Sequence, residues 1–330
     1  MLSAAARPRL TVWLDALEEM PQLERLVIDS ASPISPHFLN NPIYDAELPS
    51  LSHLDISGSV FDCGLALSHL ILPALTSLRV TTRSDHLTAY EVKEISPYIW
   101  EHAHGYQDTE PLQSVFIHNE RTCLDIVAWN TPSIDVTAWD SNRSARVALS
   151  FTTSDESDLD NYGEILEMAI GALPLYNLVM LSLPCKTRLD ESFWRIKAWS
   201  WPRLERVDLA PHSARGFLEI LLQDDGGRGR PLLPSLTYLR LVENSFFSGR
   251  RFFCLRDTLM KRVEQGVPLE VLDLRTCFAL SPVVVRRLSE IVVNVWGPPE
   301  PESDTDERMG DDIGIMWDGV HLPFICDDAI

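Results

Sequence analysis

Five times along the chain a proline is followed by a leucine two residues on, a second apolar residue three beyond it and a third two beyond that. The copies are Pro21-Leu23-Leu26-Ile28, Pro49-Leu51-Leu54-Ile56, Pro73-Leu75-Leu78-Val80, Pro202-Leu204-Val207-Leu209 and Pro234-Leu236-Leu239-Leu241. The same apolar spacing recurs without the proline at Leu112-Val115-Ile117, Leu178-Leu181-Leu183 and Leu269-Leu272-Leu274. One apolar corner followed by an alternating pair predicts a turn feeding a short strand with one buried face. A unit this small cannot bury its apolar face alone, but it can when stacked on copies of itself. The expected fold is therefore α/β: a leucine-rich-repeat solenoid of about nine units, with a curved parallel sheet on the concave side and helices outside.

The interval from Leu112 to Leu178 is roughly twice the others, which predicts a further strand between them at Val147-Leu149-Phe151. Long, irregular intervals leave room for an outer helix in most units. Apolar residues at three-to-four spacing place helices around Asp15–Leu17, Leu65–Leu70, Leu87–Ile95, Leu159–Ala172, Ser192–Trp199, Ala214–Leu222, Phe252–Val263 and Val283–Val293. The prolines, with a fixed φ and no amide donor, are expected to stop the helices that precede them.

Composition narrows the partners. With 28 Lys and Arg against 48 Asp and Glu, the formal net charge is −20. Nucleic acid and anionic membrane are therefore not expected as partners, since phosphate is engaged through basic surface. Six cysteines stand far apart without a Cys-x-x-Cys pair, so buried free thiols are expected rather than a disulfide framework or zinc knuckle. Residues 1–20 are too broken by charge for a signal peptide, and no apolar stretch reaches the ~20 residues of a spanning helix. The expected location is cytoplasmic or nuclear. Residues 1–297 are expected to form the repeat array, 298–312 an acidic disordered segment, and 313–330 an apolar C-terminal segment that caps the last repeat.

No nucleophile elbow, zinc-protease helix or phosphate loop occurs in the chain. His102 and His104 are two apart at what reads as a helix end, where side chains at that spacing diverge. A metal-dependent hydrolase centred on them is the enzymatic alternative to an interaction module. Asp55, Asp208 and Asp273 fall at equivalent points of different units, so the repeat explains their recurrence without a catalytic pair. No catalytic residue, cofactor or metal is expected, and the chain reads as a non-enzyme.

Binding chemistry is expected on the concave face. If the second and third apolar residues of each unit point inward, the residues beside them point out. That rule exposes Arg25 and Asp29, His53 and Asp55, Arg79, Phe116 and His118, Arg206 and Asp208, Tyr238 and Arg240, and Asp273 and Arg275. Arginines and aromatics interleaved with acids are what protein interfaces use as anchors, so a protein target is the expected partner. Tyr238 and Arg240 are expected to face solvent, so truncating both should leave thermal stability almost unchanged.

Several motifs carry a family resemblance: Trp13-Leu14-Asp15-Ala16-Leu17 leading into Met20-Pro21-Gln22-Leu23-Glu24-Arg25-Leu26, the Leu-Pro-x-Leu-x-x-Leu units, Ser96-Pro97-Tyr98 through His102-Ala103-His104-Gly105, and Leu272-Asp273-Leu274-Arg275. With these the chain resembles the leucine-rich half of fungal F-box proteins of the mushroom-forming type over residues 10–297. The resemblance implies target recognition for a cullin-RING ubiquitin ligase, whose linker and cullin would then be partners of a longer form. The F-box itself is expected to be absent here, because residues 1–20 ahead of the first unit are too few for that helical module. A stand-alone leucine-rich scaffold without any ligase is the other expectation.

Overall fold

The computed structural model describes residues 10–29, 45–73, 76–85, 87–104, 110–120, 122–132, 145–154, 162–184, 189, 191–223, 231–242, 249–278 and 280–298. Four of the repeated prolines occupy one and the same backbone position. The amide of Leu23 donates to the Met20 carbonyl at 3.0 Å, Leu51 to Leu48, Leu204 to Trp201 and Leu236 to Leu233, each at 3.1 Å. Pro21, Pro49, Pro202 and Pro234 are thus the second residue of a four-residue turn, where a fixed φ near −65° is wanted and no donor is missed. Leu178 closes the same turn on Leu175 without a proline.

Each turn delivers the chain into a strand. The long strands are β1 (Arg25–Ile28), β3 (His53–Gly58), β5 (Ser77–Ser84), β6 (Ser114–Glu120), β7 (Cys123–Trp129) and β8 (Val147–Thr153). They continue as β9 (Met180–Leu183), β10 (Arg206–Leu209), β11 (Tyr238–Leu241), β12 (Val271–Asp273) and β13 (Asn294–Trp296). Two short strands, β2 (Ala46–Glu47) and β4 (Leu70–Ile71), pair with each other only. Between them run α1 (Leu10–Glu18), α2 (Val60–Ser68), α3 (Ala89–His104), α4 (Tyr162–Gly171), α5 (Glu191–Ser200), α6 (Pro211–Leu222), α7 (Gly249–Glu264) and α8 (Pro282–Ser289). The expected helices fall close to these, except that Leu70 belongs to β4 and Val293 to the approach to β13.

The fold is mixed α/β around one eleven-stranded, mostly parallel sheet, in the order β1-β3-β5-β8-β7-β6-β9-β10-β11-β12-β13. Its register aligns Leu26, Leu54, Leu78, Val147, Ala128, Val115, Leu181, Val207, Leu239, Leu272 and Val295 in one row, one residue per strand. All are buried apart from Leu26 and Val295 on the two edge strands, which are half-buried. Beside this sheet α2 packs on α3, α3 on α4, and α6 between α5 and α7. Trp194 of α5 meets Phe217 of α6 edge-on at 4.9 Å, and Phe193 meets Trp201 at 6.4 Å, so these tryptophans are packing residues.

The middle of the sheet departs from the expected sequence order. Val147-Leu149-Phe151 does form a strand, β8, but it pairs in parallel with β5 and not with β6. The reason is β7, which the repeat pattern did not anticipate. It turns back from β6 in a hairpin ending at Glu120 opposite Cys123, and runs antiparallel to both β6 and β8. The up-down-up meander β6–β7–β8 is therefore inserted backwards between β5 and β9. A compact unit extends to Pro298. Residues 299–330, which hold almost all of the expected acidic segment and the whole apolar end, lie outside the described residues.

Candidate interaction surface

The reverse face of the sheet is read most directly from a second register row: Val27, Asp55, Arg79, Ala148, Val127, Phe116, Ser182, Asp208, Arg240, Asp273 and Trp296. The residues expected on the concave face all belong to this side, yet they do not form one surface. Arg25, Asp29, His53, Asp55 and Arg79 sit on or beside β1, β3 and β5. Arg206, Asp208, Tyr238, Arg240, Asp273 and Arg275 sit on or just after β10, β11 and β12. Four strands separate the groups, so β5 and β10 are about 24 Å apart at the usual strand spacing.

The row between them is buried. Phe116, expected as an exposed anchor, is only 8 % exposed. It stacks 6.2 Å from His118, which is half-buried. Val127, Ala145 and Ala148 form a small apolar cluster on this side, with Trp129 packed against it. That second core is a consequence of the meander, whose antiparallel strands carry apolar residues on both faces. Phe116 is thus a packing residue, and the expectation of an anchor there is corrected.

In the first group, the Ser57 hydroxyl donates to Asp29 Oδ1 at 2.7 Å, and Ser52 Oγ lies 2.8 Å from His53 Nδ1. Arg25 stands opposite His53, and Asp55 opposite Arg79. Arg25, Asp29 and His53 are exposed, while Asp55 and Arg79 are half-buried.

The second group interlocks. Parallel register puts Arg206 beside Tyr238, and Asp208, Arg240 and Asp273 in line. The Arg206 guanidinium lies 4.1 Å over the Tyr238 ring, and its Nε donates to Asp208 Oδ1 at 3.4 Å. Tyr238 donates its hydroxyl to Asp273 Oδ2 at 2.8 Å. Arg275 takes Asp273 with a fork, Nε to Oδ1 at 3.0 Å and Nη2 to Oδ2 at 2.8 Å, while its backbone amide reaches Oδ1 at 3.2 Å. Trp296 closes the end of the cluster, 4.8 Å under the Arg275 guanidinium and edge-on to Tyr238 at 6.0 Å.

Two carboxylates in one register row therefore acquire opposite electrostatics. Both are buried, Asp208 at 2 % and Asp273 at 0 % exposure. Burial raises the Asp208 carboxyl above its ordinary 3.8, and Arg206 and Arg240 offset only part of that. Burial acts on Asp273 too, but the hydrogen bonds from Arg275 and Tyr238 outweigh it and hold this carboxyl below 3.8. Tyr238, in turn, is pushed up to about 12 by burial and by its bond to Asp273.

Arg240 differs from its neighbours. Its Nε has no hydrogen-bond partner, and its nearest anionic atom is Asp273 Oδ2 at 3.8 Å. Its side chain keeps 27 % of its surface exposed. Trp296 was missed by the pattern because β13 lacks the proline-leucine corner and follows α8 after only a short turn. The alternation Asn294-Val295-Trp296 was its only signal.

The histidine pair lies on α3, at the C-terminal end of that helix. His102 is half-buried, its Nε2 3.2 Å from the Thr76 carbonyl, and burial together with Arg146 lowers its imidazole to about 4. His104 is exposed and stacks on Trp100 at 4.4 Å. Both line a surface cleft of about 280 Å³ with Asp45, Tyr98 and Glu101. Among the described residues no group of three metal-ligating side chains converges. Cys63 and Cys277 are buried; burial pushes the Cys63 thiol up to about 12, which makes it a poor nucleophile. Among the described residues no helix is long and apolar enough to cross a membrane. The chain matches no family model and no curated protein.

Proposed function

We propose that this chain is a non-catalytic protein-interaction module, a leucine-rich-repeat solenoid whose strand face holds a protein target. The observation that carries this reading is the cluster on β10–β13, where buried carboxylates fix Arg206, Arg275 and Tyr238, and Trp296 packs against Arg275 and Tyr238. Rigid aromatic and guanidinium groups already ordered before binding are the anchors that interfaces favour, because little side-chain entropy remains to be lost. Support for the repeat comes from the turn that recurs ahead of β1, β3, β9, β10 and β11 with identical hydrogen bonding.

By the family resemblance, the target held there is presented to a cullin-RING ubiquitin ligase through an F-box carried by a longer form. Affinity purification from cells of the native organism tests this. Recovery of the ligase linker and cullin with the chain supports the ligase reading. Recovery of targets without them leaves a stand-alone leucine-rich scaffold.

A further inference from the structure

We propose that the strand face over β10–β13 reads a single carboxylate, with Arg240 as its anchor and Tyr238 and Trp296 as the walls of the subsite. The partner is a peptide segment carrying one Asp or Glu among neutral or basic residues. This rests on the interaction reading above and adds to it the chemistry that is recognised.

A charge count leads to Arg240. The face carries three arginines and two aspartates. Arg206 is committed to Asp208, and Arg275 is committed to Asp273 through both oxygens. Asp273 also accepts from Tyr238 and from the Arg275 backbone amide, so its lone pairs are filled. Arg240 is left with its buried Nε unpartnered, 3.8 Å from Asp273 Oδ2 and beyond hydrogen-bond length, and neither aspartate takes its two terminal N–H groups in a fork. A partly exposed guanidinium in that state is completed by a planar acceptor that takes two of its N–H groups at once, which a carboxylate does.

The same count favours one negative charge over two. With both aspartates ionised the cluster has an excess of one positive charge, which a carboxylate neutralises. A phosphate monoester, with charge approaching −2, would leave an uncompensated anion beside two buried aspartates. The rest of the molecule sets a second filter. At a net charge of −20 the protein repels polyacidic segments at long range, while one acid in neutral or basic surroundings reaches the site without that penalty. Arg206 and Arg275 then act as positioning groups: they hold the Tyr238 and Trp296 rings at 4.1 and 4.8 Å and leave Arg240 to make the contact.

The test begins with a random peptide library displayed on phage, selected against the full chain, followed by affinity measurements on synthetic copies of the enriched peptides. The expected peptides carry one Asp or Glu with no acidic neighbours. They should bind Arg240→Gln about tenfold or more weakly, with Arg240→Lys intermediate and the melting temperature of both variants close to that of the parent. Replacing the peptide's acid by its amide should cost a similar factor, and the two changes together should cost no more than either alone, which marks the pair as interacting. Peptides that lose affinity with Trp296→Ala but are indifferent to Arg240→Gln would sink the carboxylate assignment while leaving the face as a partner site. Tighter binding when phosphoserine replaces the acid would overturn the single-charge argument. Selected peptides indifferent to every substitution on this face, or no enrichment at all, would overturn the proposal together with the reading beneath it. Self-association of the chain that Arg240→Gln abolishes would reassign the face to a second copy.

Discussion

Arg262 offers the sharpest test of how the strand carrying Tyr238 and Arg240 is held. It lies on α7, is 1 % exposed, and has no acid beside it. Its Nη1 donates to the Leu232 carbonyl at 3.0 Å, and its Nη2 donates to Leu233 at 3.1 Å and to Leu236 at 3.0 Å. These carbonyls belong to the proline turn that opens β11, where Leu233 sits at φ 48, in the left-handed region that non-glycine residues seldom occupy. Burial lowers the guanidinium to about 10, still far above neutrality, so the cation persists. Removing it strands the Leu232 and Leu236 carbonyls at about 1–3 kcal/mol each, Leu233 keeping its turn bond from the Leu236 amide, while the desolvation cost of the guanidinium, several kcal/mol, disappears with it. With the packing of the aliphatic stem lost as well, the balance for Arg262→Ala is a loss of about 2–4 kcal/mol, or roughly 4–16 °C in melting temperature. Arg262→Met keeps the aliphatic stem and fills the space, so it isolates the hydrogen bonds from the packing. Denaturant titration followed by circular dichroism measures both variants. If Arg262→Met stays within about 1 kcal/mol of the parent, the carbonyls do not depend on the guanidinium and the reasoning fails.

Three further outcomes are expected. His102 has a folded-state pKa near 4 against an ordinary 6.5, so the unfolded chain binds the proton first. Its contribution is complete above pH 6.5 and is lost as pH falls towards 4, by roughly 3 kcal/mol, and His102→Gln should flatten that part of the stability profile. Gly266 stands at φ 74 after α7, with its amide bonded to Val263 and the Val267 amide to Arg262, both at 3.0 Å. Gly266→Ala should cost about 1–2 kcal/mol in denaturant titration, because a Cβ disfavours that conformation. Asp273→Ala should cost about 2–4 kcal/mol at neutral pH by removing the acceptor shared by Tyr238 and Arg275. Since the Asp273 carboxyl is held below 3.8, that difference from the parent should shrink only as pH falls below about 4.

The strands and their buried face were legible in the sequence because their signal is local. A proline, a corner leucine and two alternating apolar residues specify a turn and the inward side of a strand whatever the neighbours are. Leu54, Leu78, Val207, Leu239 and Leu272 duly share one buried row. Strand order was not legible past β5, because the choice between β6 and β8 as the neighbour of β5 depends on the hairpin at Glu120–Cys123. No repeat motif announces that hairpin. Cys123-Leu124-Asp125-Ile126 alternates as a strand should, but without a corner leucine it carried no register. The outward residues of β10–β12 were legible as to face and not as to burial, since their exposure is set largely by side chains of the neighbouring strand.

That last point changes the meaning of the site. Tyr238 and Arg240 were expected to project freely, so that truncating both would leave thermal stability almost untouched. In the folded chain Tyr238 is half-buried, bonded to a fully buried aspartate, covered by the Arg206 guanidinium and edge-on to Trp296. Removing it strips Asp273 of one partner and Arg206 of its aromatic floor, so Tyr238 contributes to stability as well as to recognition. Arg240 has no such bonds, and its removal takes away only a longer-range attraction to Asp208 and Asp273. The two residues stand two apart on one face of β11 and yet belong to different functions: Tyr238 to the frame that holds the site, Arg240 to the contact made with whatever enters it. A stability measurement on each single variant separates the roles. Tyr238→Ala should lower the melting temperature by several degrees, and Arg240→Gln should barely move it. Equal losses would mean that Arg240 is part of the frame and that the free guanidinium is not an anchor.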